Sequence, residues 1–413
     1  MAVPKLRFKD SEGREFPEWE EKKLGDFTER IKRKAPENSI APVMMIAAES
    51  GFIYQKDRYS RENAGKSLTN YTLLKQEEFS YNHGYSKLRN YGSVFILKEP
   101  EARVPFVYHS FKLLSGVGDF WGYYLNSGLL DRTLKKTISS TARMDGLLNI
   151  SYEAYMDINV RVPSLPEQQK IADFLTAYDT MIDTQSQRVE AMKTRKKGLL
   201  QKIFSQEIRF KDEQGREYPE WIVQKLEELV SMHARIGWQN LRTSEFLNSG
   251  DYYLVTGTDF VNGKIDFSTC HYIGKERFEQ DKKIQLDNDN ILITKDGTLG
   301  KVAYVDILPK PTTLNAGIFC LKSKKQNINM KYLFQYLRGP FMMQYCNRHS
   351  TGGTIKHLNQ GVLITFPVPL PSLSEQQKIA DFLIAVDHQI EVEENRLERM
   401  QVIKKGLLQQ MFI

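Results

Sequence analysis

Cysteine is scarce in this chain. Cys270, Cys320 and Cys346 are the only three in 413 residues, all in the second half and none at C-x-x-C spacing. An odd count without a framework excludes a disulfide-stapled scaffold and fits reduced thiols, so the expected compartment is the cytoplasm. Long apolar runs are missing too. No stretch of about 20 apolar residues exists to cross a bilayer. The opening Met1-Ala2-Val3-Pro4-Lys5-Leu6-Arg7 lacks the apolar core of a signal peptide. Several catalytic signatures fail together: N-P-P-Y, D-P-P-Y and F-x-G-x-G of adenine methylation, the Walker loop of motors, H-E-x-x-H, G-x-S-x-G, and any convincing carboxylate–carboxylate–lysine nuclease cluster. The seven histidines and three cysteines show no metal-ligand spacing. The chain is expected to bind rather than catalyse, with no catalytic residue, metal or cofactor of its own.

What is present is ordinary in bulk and unusual in arrangement. Hydrophobic content of 41% and charged content of 26% describe a soluble protein, and 413 residues exceed one hydrophobic core. A net charge of +7 and a pI near 9.0 suit a polyanionic partner without establishing one. The arrangement is a repeat. The segment from Pro163 to Leu175 (PSLPEQQKIADFL) returns 208 residues later from Pro371 to Leu383 (PSLSEQQKIADFL), and Lys196–Gln201 returns as Lys404–Gln409. A leader, Arg7-Phe8-Lys9-Asp10 with Gly13-Arg14-Glu15 and Pro17-Glu18-Trp19, returns 202 residues later as Arg209–Asp212, Gly215–Glu217 and Pro219–Trp221. Between these blocks the two halves look unrelated. A constant frame around two divergent inserts fits a reader of two different targets.

After each PSL opening the apolar residues step by three and four. They are Ile171, Leu175, Tyr178, Ile182, Val189, Met192, Leu199 and Ile203, then Ile379, Leu383, Val386, Ile390, Leu397, Met400, Leu407 and Met411. Two polar intrusions match in position, Gln185 with Glu393 and Lys196 with Lys404. Such a stripe predicts two long helices of roughly 38 residues, about 57 Å each. Ser164 with Glu167, and Ser372 with Glu375, fit the S-x-x-E capping box at their starts. The economical packing sets one helix antiparallel to the other; a dimerisation coiled coil between chains is the plainer alternative. The expected class is α+β, with two globular α/β domains separated by two repeated helices packed as an antiparallel coiled coil about a pseudo-twofold. The boundaries are 1–160, a first variable domain; 161–205, the central helix; 206–368, a second variable domain; and 369–413, the last helix. The leader tryptophans, Trp19 and Trp221, are expected to pack rather than bind.

The inserts carry candidate ligand loops. In the second, Asn290–Val305 reads as strand, glycine turn, strand, and sets Lys295, Thr298 and Lys301 at a loop that a ligand backbone can approach. Gly297-Thr298-Leu299-Gly300-Lys301 lacks the spacing of a nucleotide loop. Arg348–Asn359 adds Arg348, Thr354 and Lys356 around a glycine pair. In the first insert, Phe79–Gly92 interleaves Tyr81, His83, Tyr85, Lys87 and Arg89, and Ser139–Gly146 offers Arg143. Such donors meet phosphates and base edges, although solvated loops and ordinary cores use the same residues.

The doubled E-Q-Q-K-I-A-D-F-L, the two-copy frame and the G-T-L-G-K-V and T-G-G-T-I-K loops resemble the specificity subunit of Type I restriction–modification systems, over nearly the whole chain. The first insert departs from G-T-L-G-K-V. The resemblance implies two target-recognition domains, each reading one half of an interrupted site in double-stranded DNA. It implies that the helices set the spacer and dock two methyltransferase subunits, which motor-nuclease restriction subunits then join. S-adenosylmethionine, ATP and magnesium would serve those partners and not this chain. Three other readings stay open: a fused modification or nuclease enzyme whose motifs are unrecognised, a coiled-coil scaffold whose inserts bind proteins, and the specificity subunit of a related modification system without a separate motor.

Overall fold

The structure is a computed structural model and describes residues 4–48, 50–58, 70–84, 86, 89–138, 148–236, 241–349 and 357–412. Two compact units divide the chain, Met1–Ser186 with Asn395–Ile413, and Gln187–Glu394. The division therefore passes through the middle of both long helices, where the sequence had placed the helices as segments of their own. The cause is burial. Ile171, Ala172 and Leu175 share a core with Met411 and Phe412 in the first unit, and Leu200, Ile203 and Phe204 share one with Ile379, Ala380 and Leu383 in the second.

The first unit begins with β1 (Glu20–Lys23), β2 (Thr28–Arg30), β3 (Met44–Ala47), β4 (Gly51–Tyr54) and α1 (Gln55–Arg58). It continues with β5 (Thr72–Lys75), β6 (Phe79–Asn82), β7 (Ser93–Ile96), β8 (Glu101–Val104) and β9 (His109–Leu113), then α2 (Gly118–Leu125), α3 (Asp131–Thr137), α4 (Tyr152–Met156) and β10 (Asn159–Val162). Strands β2-β9-β6-β7 form an antiparallel sheet. The second unit carries β11 (Ile222–Lys225), α6 (Leu226–Leu229), β12 (Val230–His233), β13 (Tyr252–Val255), β14 (Phe260–Val261), β15 (Lys264–Ile265) and β16 (His271–Ile273). After α7 (Lys275–Glu279) come β17 (Ile291–Thr294), β18 (Val302–Tyr304), β19 (Thr312–Leu314), β20 (Ile318–Ser323), α8 (Met330–Arg338), α9 (Phe341–His349), α10 (Gln360–Leu363) and β21 (Pro367–Leu370). Here β12-β20-β17-β18 is again an antiparallel sheet of four. The inserts that look unrelated thus each carry a four-stranded sheet of the same order, since a buried apolar strand pattern can be met by many sequences.

Each insert is closed at its base. β1 pairs antiparallel with β10, Glu20 opposite Val162, and β11 pairs with β21, Ile222 opposite Leu370. The chain thus enters and leaves each domain through one two-stranded ribbon.

The long helices are α5 (Leu165–Phe204) and α11 (Leu373–Phe412), 40 residues each. That is about 60 Å at 1.5 Å per residue. In the first unit Lys404 of α11 pairs with Asp179 of α5, while Leu408, Met411 and Phe412 pack near Ile171 and Leu175. In the second, Lys196 Nζ lies 2.6 Å from Asp387 Oδ1 and Arg188 Nη2 lies 2.8 Å from Glu393 Oε1. Within each unit the helix segments are antiparallel, as the apolar stripe predicts, and the lysines that interrupt the stripe are answered by aspartates.

The expected capping boxes are replaced by a different device. Glu167 is fully buried and turns to the leader: Arg7 donates to it through Nε at 3.0 Å and Nη2 at 2.9 Å, and Trp19 Nε1 donates at 3.1 Å. Glu375 does the same with Arg209 at 3.3 and 2.9 Å and Trp221 at 2.9 Å. Ser372 Oγ still accepts from the Glu375 amide at 3.4 Å, but Ser164 Oγ has no hydrogen-bond partner. A buried carboxylate is stabilised more by a charged bidentate partner than by a serine amide, so the leader wins the glutamate. The adjacent glutamines start the domain helices: Gln168 Oε1 accepts from the Val117 amide at 2.9 Å and Gln376 Oε1 from the Asn329 amide at 2.8 Å. Trp19 also packs on Phe120 and Tyr124, as expected of a leader tryptophan.

Candidate nucleic-acid interface

In the second unit the glycine loop lies between two paired strands. Ile291, Leu292, Ile293 and Thr294 of β17 are all buried, which anchors the loop at its start. Thr294 closes the loop on itself. Its amide donates to Lys301 O at 2.9 Å, its carbonyl accepts from the Gly300 amide at 2.9 Å, and its hydroxyl accepts from the Lys301 amide at 2.9 Å while donating to Thr298 O. Gly297 and Gly300 take φ of +70° and +73°, a region that costs other residues strain. A Cβ at Gly300 would also strike the Met343 sulfur, so α9 packs directly against the turn.

This geometry presents Thr298 and Lys301 to solvent. Lys295 is half-buried, its ammonium 5.5 Å from the centroid of the Phe319 ring. Its amide donates to Gly317 O at 2.7 Å and its carbonyl accepts from the Leu358 amide at 2.9 Å. His357 Nδ1 lies 2.5 Å from Asp296 Oδ1. Residues 295–301 and 357–358, 56 positions or more apart in sequence, are therefore held together. Arg348 and His349 are exposed at the end of α9, with His349 Nδ1 2.9 Å from Tyr345 O and its ring stacked on Tyr345. Beside Lys301 a hollow of about 450 Å³ is lined by Asn262, Gly263, Gly300 and Arg338 among others. Thr354 and Lys356 lie outside the described residues. Sequence reasoning passed over His357 and Asp296, although both fall inside the two loop segments. It also passed over Arg338, whose only sequence signal is a basic last turn on an amphipathic helix.

The first unit corrects part of the sequence expectation. Tyr81 is 1% exposed, stacks on Tyr155 with centroids 4.2 Å apart and donates its hydroxyl to Tyr91 O at 2.6 Å. Burial pushes its phenol well above the usual range. His83 is buried, with Nδ1 2.9 Å from Leu148 O and Nε2 2.9 Å from Val107 O, and stacks on His109. Burial lowers His109 to about 4, which keeps it neutral in this core. Tyr81 and His83 are buried against internal partners, so neither side chain is presented at the surface. Arg89 is half-buried and donates through Nη1 to Asn126 O at 2.6 Å. Tyr85, Lys87 and Arg143 lie outside the described residues.

The three thiols are buried, and burial raises Cys270 and Cys320 to about 12 and Cys346 to about 11. They are structural. Among the described residues no group of three or more metal-ligating side chains gathers, and no helix is long and apolar enough to cross a membrane.

Comparison with known proteins also finds two successive halves. A family model for the Type I restriction modification DNA specificity domain matches residues 17–193 and again 219–401. The Type I restriction enzyme MjaVIII specificity subunit of Methanocaldococcus jannaschii is 25% identical over 420 residues, spanning 97% of this chain and 94% of that one. The crystal structure of a Type I restriction–modification S subunit from M. genitalium superposes with a TM-score of 0.55 at 16% identity, over 100% of this chain and 99% of that one. A chain from structural work on assembly and conformational transition of the type I R–M system gives 0.57 at 15%, over 96% and 98%. At these identities the structural likeness is one of fold. With one match on each insert and the helix after it, together covering most of the residues, the chain belongs to the Type I restriction–modification DNA specificity family.

Proposed function

We propose that this chain confers sequence specificity on a Type I restriction–modification complex, each target-recognition domain reading one half of an interrupted DNA site. The observation that carries the reading is the second unit's loop cluster, an ordered turn that presents Thr298 and Lys301 with Lys295 beneath them and Arg348 at the neighbouring helix end. Lys295, Lys301 and Arg348 neutralise phosphates or take guanine edges, and Thr298 hydrogen-bonds a base or phosphate. Thr354 and Lys356 join this set on the strength of their sequence position. In the first domain the contacts fall to Tyr85, Lys87, Arg89 and Arg143. The chain itself performs no chemistry. The long helices fix the distance between half-sites and dock two methyltransferase subunits, with motor-nuclease subunits joining that core. S-adenosylmethionine, ATP and magnesium act on those partners. The work is done in the cytoplasm, where reduced thiols persist.

The test is co-expression with the methyltransferase subunit and mapping of methylated adenines across the host genome. A single interrupted motif that disappears when this chain is omitted is the expected result. Methylation that is indifferent to the chain, together with no copurifying methyltransferase, would make it a protein-binding scaffold instead.

A further inference from the structure

Asp179 and Asp387 are the same position of the repeat, 208 residues apart. Asp179 on α5 pairs with Lys404 on α11 and accepts at 2.7 Å from the hydroxyl of Tyr123, which projects from the domain helix α2. Asp387 on α11 accepts from Lys196 on α5 at 2.6 Å, and from Gln335 Nε2 at 2.8 Å and Arg338 Nη1 at 2.9 Å, both on the domain helix α8. Each carboxylate thus joins three elements of its own unit: the helix that bears it, the antiparallel helix, and the recognition domain. The domain-side donors differ in kind, a phenol in one unit and an amide with a guanidinium in the other. The aspartate and the lysine do not differ.

We infer that Asp179 and Asp387 are positioning residues that fix the angle of each recognition domain on its helix pair, and so set how strictly the complex measures the spacer. The inference rests on the reading that each domain takes one half-site. Its physical ground is the contrast between two kinds of contact. Apolar packing of the domain helices on the long helices is strong but non-directional, and tolerates a small rotation. Charge-assisted hydrogen bonds at 2.6–2.9 Å in a half-buried setting are directional and do not. The partners are well shielded, Lys196 and Gln335 being buried with 7% and 0% exposure. Asp387 has two domain-side donors, Gln335 and Arg338, and Asp179 has one, Tyr123, so the second domain is the more tightly set.

The test uses the full chain assembled with its methyltransferase subunits. Once the wild-type motif is mapped, methylation is measured on duplexes carrying both half-sites at the native spacing and at one and two base pairs more or less. Asp387→Asn is expected to lower the preference for native spacing over a one-base-pair change by about tenfold, with base preference within each half-site intact. Asp179→Asn acts in the same direction more weakly. Tyr123→Phe, which removes the donor, loosens the spacing, whereas Tyr123→Gln, which supplies the donor found in the other unit, retains it. Spacing profiles that match wild type in folded Asp387→Asn and Tyr123→Phe complexes would overturn the inference. So would equal loss of base preference and spacing preference, or failure of both variants to assemble, since either outcome makes the aspartates purely structural. A wild-type complex with no interrupted motif would instead sink the functional reading beneath it.

Discussion

At the scale of single residues, burial decides which polar side chains are available. Lys301 is exposed on a turn whose shape is fixed by Thr294 and two glycines. Replacing it by alanine should leave the fold intact, weaken DNA binding and flatten the salt dependence of log affinity by about one; an unchanged slope in a titration from low to physiological salt would remove it from the contact set. Lys196 is the opposite case. Burial first, and Arg338 second, lower it to about 8, against the pull of Asp387. Its folded value lies below its unfolded one, so between about pH 8 and about 10.5 the unfolded chain binds the extra proton and Lys196's contribution to stability rises with pH; below pH 8 the cost of carrying the buried charge is fully present. Lysine side-chain NMR should show one ammonium titrating near pH 8 that vanishes in Lys196→Met, and a midpoint above 10 would contradict this. The repeated Lys196 and Lys404 were legible as interruptions of an apolar stripe, but their aspartate partners were not, because pairing across two distant segments leaves no local period. Tyr81 and His83 misled for a related reason. A short strand of aromatic and polar residues reads as a surface loop until the internal acceptors Tyr91, Leu148 and Val107 are seen beside it.

At the scale of elements, the repeated P-S-L-x-E-Q-Q opening is a joint more than a cap. Its glutamate holds the leader through an arginine and a tryptophan, and its glutamine starts a helix of the domain. Glu375→Gln should leave the Arg209 guanidinium without its buried charged partner, with only the exposed Glu220 near it, and cost about 3–5 kcal/mol. Calorimetry would register this as an earlier unfolding transition, and an unshifted one would show that the arginine is rescued by solvent and the carbonyls of Tyr218 and Pro219. The long helices were readable because their stripe persists over 40 residues, far beyond a chance match. The capping boxes were not read correctly, since S-x-x-E also occurs where a distant arginine claims the carboxylate. The loop between β17 and β18 was readable from its paired glycines, whereas its closure against His357 depends on where 56 or more intervening residues fold.

At the scale of the whole molecule, the frame and the inserts obey different rules. The frame repeats in blocks of identical residues, while the inserts repeat a four-stranded sheet whose order, β2-β9-β6-β7 and β12-β20-β17-β18, survives without matching sequence. Replacing residues 226–366 with the corresponding segment of another family member should alter one half of the methylation motif and leave the other half and the spacer unchanged. Genome-wide methylation mapping reads all three at once, and a change in both halves would show that the domains do not read independently. The ribbons at which each insert begins and ends give this a further consequence. Paired strands bring the two ends of an insert to within about 5 Å of each other, so the frame never has to adjust to the size or sequence of what it carries. A lineage can therefore trade one whole domain in a single recombination event and keep its inherited partners, moving to a new genomic address by half a word at a time.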